Sequence, residues 1–221
     1  MEKKYKLLVD DTITVGNRTL YRIEALRDFA DVEKGDKGGY VESEDNLSHD
    51  GNCWVYGNAR VYGNACVSGN AWVYGNACVY GNARVSGNAW VYGNACVYGN
   101  ARVSGNARVS GNAWVYDNAR VSGDACVYDN ALVCGNALVY GNAEVRSTKD
   151  YVVLKNIWSS GRYFTYTRSN KMWKVGCFYG TGEELIKRAY QDSEVSGREY
   201  ERVVRYVEAM YADLEKDNSK N

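Results

Sequence analysis

Three arginines stand eighteen residues apart, Arg84, Arg102 and Arg120, and each is followed two places later by a serine, Ser86, Ser104 or Ser122. Planar guanidinium forks beside hydroxyls suit the oxygens of a phosphate or carboxylate. Between residues 51 and 140 there is no Lys or Glu, and Asp117, Asp124 and Asp129 are the only acids. Local carboxylates are therefore too few and too C-terminal to neutralise the arginines. Two readings follow: a solvated polar face, or a seat for an anionic, nucleotide-like ligand. Aromatic residues share the same spacing. Trp54, Trp72 and Trp90 run beside Tyr56, Tyr74 and Tyr92, and Tyr62, Tyr80, Tyr98 and Tyr116 form another series. Such strips suit an interface between chains or a platform for a base.

Other chemistry is thin. His49 is the one histidine, which leaves little for acid–base or metal work. Cys177 lies just before a predicted helix start at Thr181, where a thiol pKa can fall, yet no base motif accompanies it. A buried strand cysteine is the expected reading. The nearby glycines Gly176, Gly180 and Gly182 match no nucleotide fingerprint. Cys78 and Cys96 also share the spacing of eighteen, but two ligands do not make a zinc site. No catalytic set, metal or cofactor is expected.

What positions these side chains is a repeat. From Gly51 to Arg146 run sixteen hexapeptides of the form Gly-Asn-Ala-x-Val-(Tyr/Ser), with Val in all sixteen from Val55 to Val145. Two degraded copies precede them, Gly39 to Glu44 and Asp45 to Asp50, with Val41 and Leu47 at the alanine position. Alternation turns Ala and Val to one side of a short extended segment, and x and Tyr/Ser to the other. Gly-Asn fills the corner, because those residues tolerate positive φ at least cost. Strands of four residues joined by two-residue corners make a solenoid of about five coils, roughly 4.8 Å per rung.

The repeat resembles that of the hexapeptide-repeat family, whose fold is a left-handed parallel β-helix, a triangular prism with eighteen residues per coil. That resemblance implies homo-oligomers, commonly trimers through prism faces. It also implies the family's best-known activity, acyl transfer with a histidine base, which here would fall to His49 in a degraded coil. The stretch from Ala25 to Ser48, ALRDFADVEKGDKGGYVESEDNLS, resembles the segment preceding such arrays in the uncharacterised YdcK-like proteins of bacteria and phages. That origin implies a counter-defence role: sequestering a nucleotide-like signal, or blocking a host defence protein.

Residues 1–38 read as a β-hairpin cap: Tyr5–Val9 and Thr12–Val15 alternate like strands, and a turn at Gly16-Asn17 leads into Thr19–Leu26. The array occupies 39–146. Residues 147–215 read as an α+β domain of three strands, Tyr151–Lys155, Arg162–Thr167 and Met172–Phe178, and two helices (β3α2). Capping boxes open those helices at Thr181 with Glu184 and at Ser196 with Glu199. Tyr200, Val203, Val207, Met210 and Leu214 form the apolar stripe of the second helix. Residues 216–221 are a polar tail. With 27 basic and 27 acidic residues the chain is neutral, which argues against a non-specific nucleic-acid binder. No run of about 18 apolar residues predicts a membrane span. Seven cysteines without a signal sequence predict a reducing, cytoplasmic setting. The expectation is a mainly β, non-enzymatic, oligomeric binding protein. The alternatives are a trimeric scaffold that displays the C-terminal domain and an acyltransferase-like enzyme.

Overall fold

The computed structural model describes residues 2–158 and 161–218, which divide into two compact units, Met1–Thr148 and Lys149–Asn221. In the first unit each hexapeptide contributes a strand of two residues, x and Val, shorter than the four expected. The rest of the hexapeptide still hydrogen-bonds to the next coil. Arg84 N–H donates to Ala101 O at 2.9 Å, Ser86 N–H to Val103 O at 2.9 Å, and the corner Asn88 N–H to Gly105 O at 2.8 Å. The array alanines and valines line a fully buried interior.

Three parallel sheets result, and their register repeats every eighteen residues through the array. One reads Trp54, Trp72, Trp90, Arg108, Cys126, Glu144. Another reads Tyr40, Arg60, Cys78, Cys96, Trp114, Leu132. The third reads Cys66, Arg84, Arg102, Arg120, Leu138. A bridge from Leu47 to Val67 adds a sixth level to this last sheet.

The corners divide labour differently from the expectation. Gly takes the left-handed turn alone: at Gly87, φ is +69° and an added Cβ would lie 2.9 Å from the Gly105 nitrogen. Asp117 and Asp129, both at φ 57°, replace Gly at two corners. The Asn side chains instead form amide ladders up the corners, as in Asn70 to Asn88 and Asn88 to Asn106, each at 3.1 Å. Equivalent ladders climb from Asn64 and from Asn76. The ladder satisfies polar groups that identical coils place one above another.

The N-terminal segment extends one sheet rather than standing apart. Tyr5–Val15 and Arg18–Ala25 form the expected hairpin around Gly16, with an irregularity between Leu8 and Thr12. Lys37–Val41 pairs antiparallel with the hairpin and parallel with Arg60–Val61. Val41 faces Val61 and Leu47 faces Val67, so both occupy the valine position, not the alanine position expected. Their partners lie twenty residues on, whereas Val55 and Val73 are eighteen apart. Two extra residues therefore fall between Leu47 and Val55, in the stretch that holds His49. Buried Asn46 braces this coil, donating to Gly63 O at 2.9 Å and Ala65 O at 2.8 Å.

The second unit has four strands, not three: Tyr151–Lys155, Tyr163–Thr167, Met172–Val175 and Phe178–Gly180, paired antiparallel in sequence order. Gly176, at φ 56°, turns the expected third strand back on itself. The Thr181–Glu184 capping box opens helix α1 (Gly182–Asp192) as expected. Helix α2 (Glu194–Asn218) instead starts behind Ser193, whose hydroxyl accepts the Ser196 N–H at 3.1 Å, while Glu199 pairs with Arg202. Val204, Val207 and Tyr211 enter a core with Phe164, Trp173 and Leu185. Tyr200, Val203 and Met210 flank that core, and Leu214 is exposed. Lys216–Asn218 continue α2 instead of forming a tail, and residues 219–221 lie outside the described residues.

Candidate functional site

Parallel pairing sets Arg84, Arg102 and Arg120 on adjacent strands, all exposed, with Ser86, Ser104 and Ser122 half-buried beside them. Rung spacing can be read from aromatic rings elsewhere in the solenoid, whose stacked centroids are 4.9–5.1 Å apart. Like charges at that distance repel by about 0.8 kcal/mol per neighbouring pair in water. Among the described residues no carboxylate forms an ion pair with any of the three. An anion on the column would add attractions that offset these repulsions.

The tryptophan-bearing face is not the uniform strip expected. Trp54 is fully buried, because Phe29 packs edge-on against it at 5.3 Å and Tyr5 at 6.1 Å. It belongs to the cap and offers nothing to a partner. Trp72 and Trp90 do stack outward, 5.8 Å apart and within 9° of parallel, and the Arg108 guanidinium follows at 5.3 Å from the Trp90 ring. Tyr74 and Tyr92 stack beside them at 4.9 Å, while Tyr56 sits against Trp72 at 5.3 Å. On the second aromatic face Tyr62, Tyr80, Tyr98 and Tyr116 form one continuous stack, 5.1, 4.9 and 5.1 Å apart. Trp114 is 45% exposed and Leu132, its rung neighbour, 37%.

Packing controls the acidity of these groups. Burial pushes the Tyr80 phenol up to about 12 and also raises the Cys78 and Cys96 thiols. The Cys134 thiol beside Tyr116 raises that phenol to about 12 by hydrogen bonding, with burial second. A group held neutral in the folded state stabilises it fully below the unfolded pKa and loses that contribution as pH rises toward the folded one. Folding stability is therefore expected to fall from about pH 9, where thiols ionise in the unfolded chain, and more steeply above about pH 10 as tyrosines join. Urea midpoints measured between pH 7 and pH 11 check this; a flat profile would contradict it.

His49 is engaged in the cap. Its Nδ1 accepts the Lys4 backbone N–H at 3.1 Å, its ring stacks on Tyr5 at 4.4 Å, and Nε2 lies 3.6 Å from the Glu44 carboxylate. It does not occupy an inward valine site but the extra residues of the first coil. Beside it Lys4 is fully buried, donating its ammonium protons to Cys53 O at 2.8 Å and Gly51 O at 3.3 Å. The lysine thus closes carbonyls that an open solenoid end would strand. Desolvation lowers its pKa. Cys177 is exposed in the hairpin after Gly176, not buried in a strand. All seven cysteines are free, and among the described residues no three His, Cys, Asp or Glu side chains converge on a metal site.

The parallel coils, amide-laddered corners and outward columns define a β-solenoid of hexapeptide repeats. Segments of the array match the repeat described as the YdcK beta solenoid repeat, at residues 55–69, 59–75, 77–93, 101–117 and 113–129. A protein of Escherichia coli strain K12, named an uncharacterized acetyltransferase YdcK, is 43% identical over 56 residues. That stretch is 25% of this chain and 17% of the relative's length.

Proposed function

We propose that this chain is a non-catalytic binding scaffold whose arginine–serine column holds an anionic, nucleotide-like ligand. The observation that supports this reading is the set of three exposed guanidiniums, in register and, among the described residues, without ion-pair partners. In a phage or prophage setting such a scaffold acts by sequestering a nucleotide signal or by covering a host defence protein. Its free cysteines accord with a reducing cytoplasm, and no helix is long and apolar enough to cross a membrane. Calorimetric titration with cyclic dinucleotides and ADP-ribose derivatives tests the ligand. Saturable binding that depends on Arg84, Arg102 and Arg120 supports the reading, and failure of every compound removes it.

The relative's name raises acetyl transfer as the rival. The one histidine speaks against it here, because Nδ1 is occupied by the Lys4 N–H and the ring is packed on Tyr5. The expected result is no turnover of acetyl-CoA above background, with wild type and His49→Ala alike. Turnover that His49→Ala abolishes would replace the binding reading with the enzymatic one.

A second reading, self-association into a trimer, rests on the neighbouring exposed Trp114 and Leu132. Apolar side chains paired on one face of a soluble protein mark a contact surface. Light scattering should give a multiple of 24.7 kDa for the wild type and a single-chain mass for the Trp114→Lys, Leu132→Lys double variant. An unchanged mass in the variant contradicts that choice of face. A trimer that binds none of the anions leaves the plain scaffold, displaying its second unit.

A further inference from the structure

A hollow of about 430 Å³ opens in the second unit between helix α1 and the hairpin that Gly176 turns. Cys177 lines it from the hairpin, and Glu184, Lys187, Arg188 and Gln191 line it from the helix. We propose that Cys177 is a site of reversible S-thiolation, and that the hollow beside it takes anionic disulfides of the glutathione class. The arginine column belongs to the first unit, so this inference is independent of the ligand assigned there.

Local structure brings these groups together. Residues 184, 187, 188 and 191 follow the i, i+3, i+4, i+7 spacing and so share one face of α1. Leu185, Ile186 and Ala189 are buried and hold the helix on its core. In the hairpin, pairing of Val175 with Phe178 leaves Gly176 and Cys177 as the two turn residues. Gly176 takes a left-handed φ of 56°, and Cys177 is exposed at the tip.

Charge sets the ligand class. Among the described residues neither Lys187 nor Arg188 forms an ion pair. Glu184, the one carboxylate of the lining, is committed to the helix cap, where it accepts the Thr181 N–H at 2.8 Å and the Thr181 hydroxyl at 3.0 Å. The hollow therefore presents two cations without a counter-charge, which draws in an anion and not a neutral molecule. Glutathione disulfide carries more carboxylates than ammonium groups and is anionic at neutral pH.

Exposure selects the thiol. Cys177 is the exposed cysteine of the seven, whereas Cys53 and Cys78 are buried and the others half-buried. Burial also raises the thiols of Cys53, Cys66, Cys78, Cys96 and Cys126, which keeps them protonated and slows their reaction. In the exchange the Cys177 thiolate attacks one sulfur of the disulfide. A new S–S bond joins Cys177 to one glutathionyl half, and the original S–S bond breaks. The other half leaves as a thiolate with the electron pair of that bond and takes up the proton that Cys177 released. Cys177 is oxidised and the departing glutathione reduced, with no further reactant.

The test incubates the full chain with glutathione disulfide and reads adducts by intact mass and peptide mapping. The expected result is a first adduct at Cys177, removed by dithiothreitol and absent from Cys177→Ser. The rate with glutathione disulfide is then divided by the rate with neutral 2-hydroxyethyl disulfide, which cancels any change in the thiol itself. Replacing the exposed Lys187 and Arg188 together by glutamine leaves the core side chains in place. That double variant should lower the ratio about fivefold or more, the scale of two exposed charge contacts. A first adduct at another cysteine, no adduct at Cys177, or a ratio unchanged in the double variant would each overturn the proposal.

Discussion

Replacing Trp54 by alanine is expected to lower the unfolding free energy of the first unit by about 3–5 kcal/mol, the range for emptying a large aromatic site. The indole is fully buried and touches Tyr5, Phe29 and Tyr56, so it joins the N-terminal segment to the first full coil. Domains of this size are stable by about 5–15 kcal/mol, so the loss removes a large part of the margin. The effect should be local. The second unit has its own core around Phe164, Trp173 and Val207, and its transition should stay at the wild-type denaturant concentration. Hydrogen exchange across a urea series separates the two units. A loss below about 1 kcal/mol would contradict the assignment of Trp54 to a buried cap contact.

Changing Arg84, Arg102 and Arg120 together to glutamine is expected to weaken anion binding about 100-fold or more. A hydrogen bond to a charged group contributes about 1.5–3 kcal/mol when shielded. These guanidiniums are exposed and screened, so roughly 1 kcal/mol each is the appropriate scale, and three give about 100-fold. Stability should not fall with affinity. Among the described residues the three side chains have no ion pairs, and they repel one another, so the thermal midpoint of the triple variant should equal or slightly exceed that of wild type. Wild-type affinity should also drop as salt rises, because exposed charges are screened beyond about 10 Å at 0.1 M. A variant that binds as well as wild type would move the site elsewhere.

The solenoid was legible because a period of six with two apolar residues in fixed places admits few structures, and the eighteen-residue register followed from it. Arg84 above Arg102 above Arg120 needed only that register. What escaped were features that no periodicity carries. Trp54 has the same place in its hexapeptide as Trp72, and only the folded-back N-terminal segment, through Tyr5 and Phe29, buries it. Val41 and Leu47 shift by two because the chain between Leu47 and Val55 carries two more residues than a full repeat. The asparagine ladders had a visible signal, Asn at one position in nearly every copy, but the residue's tolerance of turns accounted for it equally well. In the second unit Gly176 lies inside an apolar run, and its positive φ divides one expected strand into two.

The candidate site was legible in part. Spacing alone placed the arginine column and both tyrosine stacks, since side chains one coil apart must be neighbours. His49 carried a catalytic expectation only through family resemblance. Its hydrogen bond from Lys4 depends on a contact 45 residues apart in sequence.

The most direct measurement is a crystal structure of the protein grown with the tightest-binding anion of the nucleotide panel. The account predicts ligand density bridging the guanidinium groups of Arg84, Arg102 and Arg120, with the neighbouring serine hydroxyls in hydrogen-bonding reach. Density seated elsewhere, with these three side chains free in solvent, would contradict it.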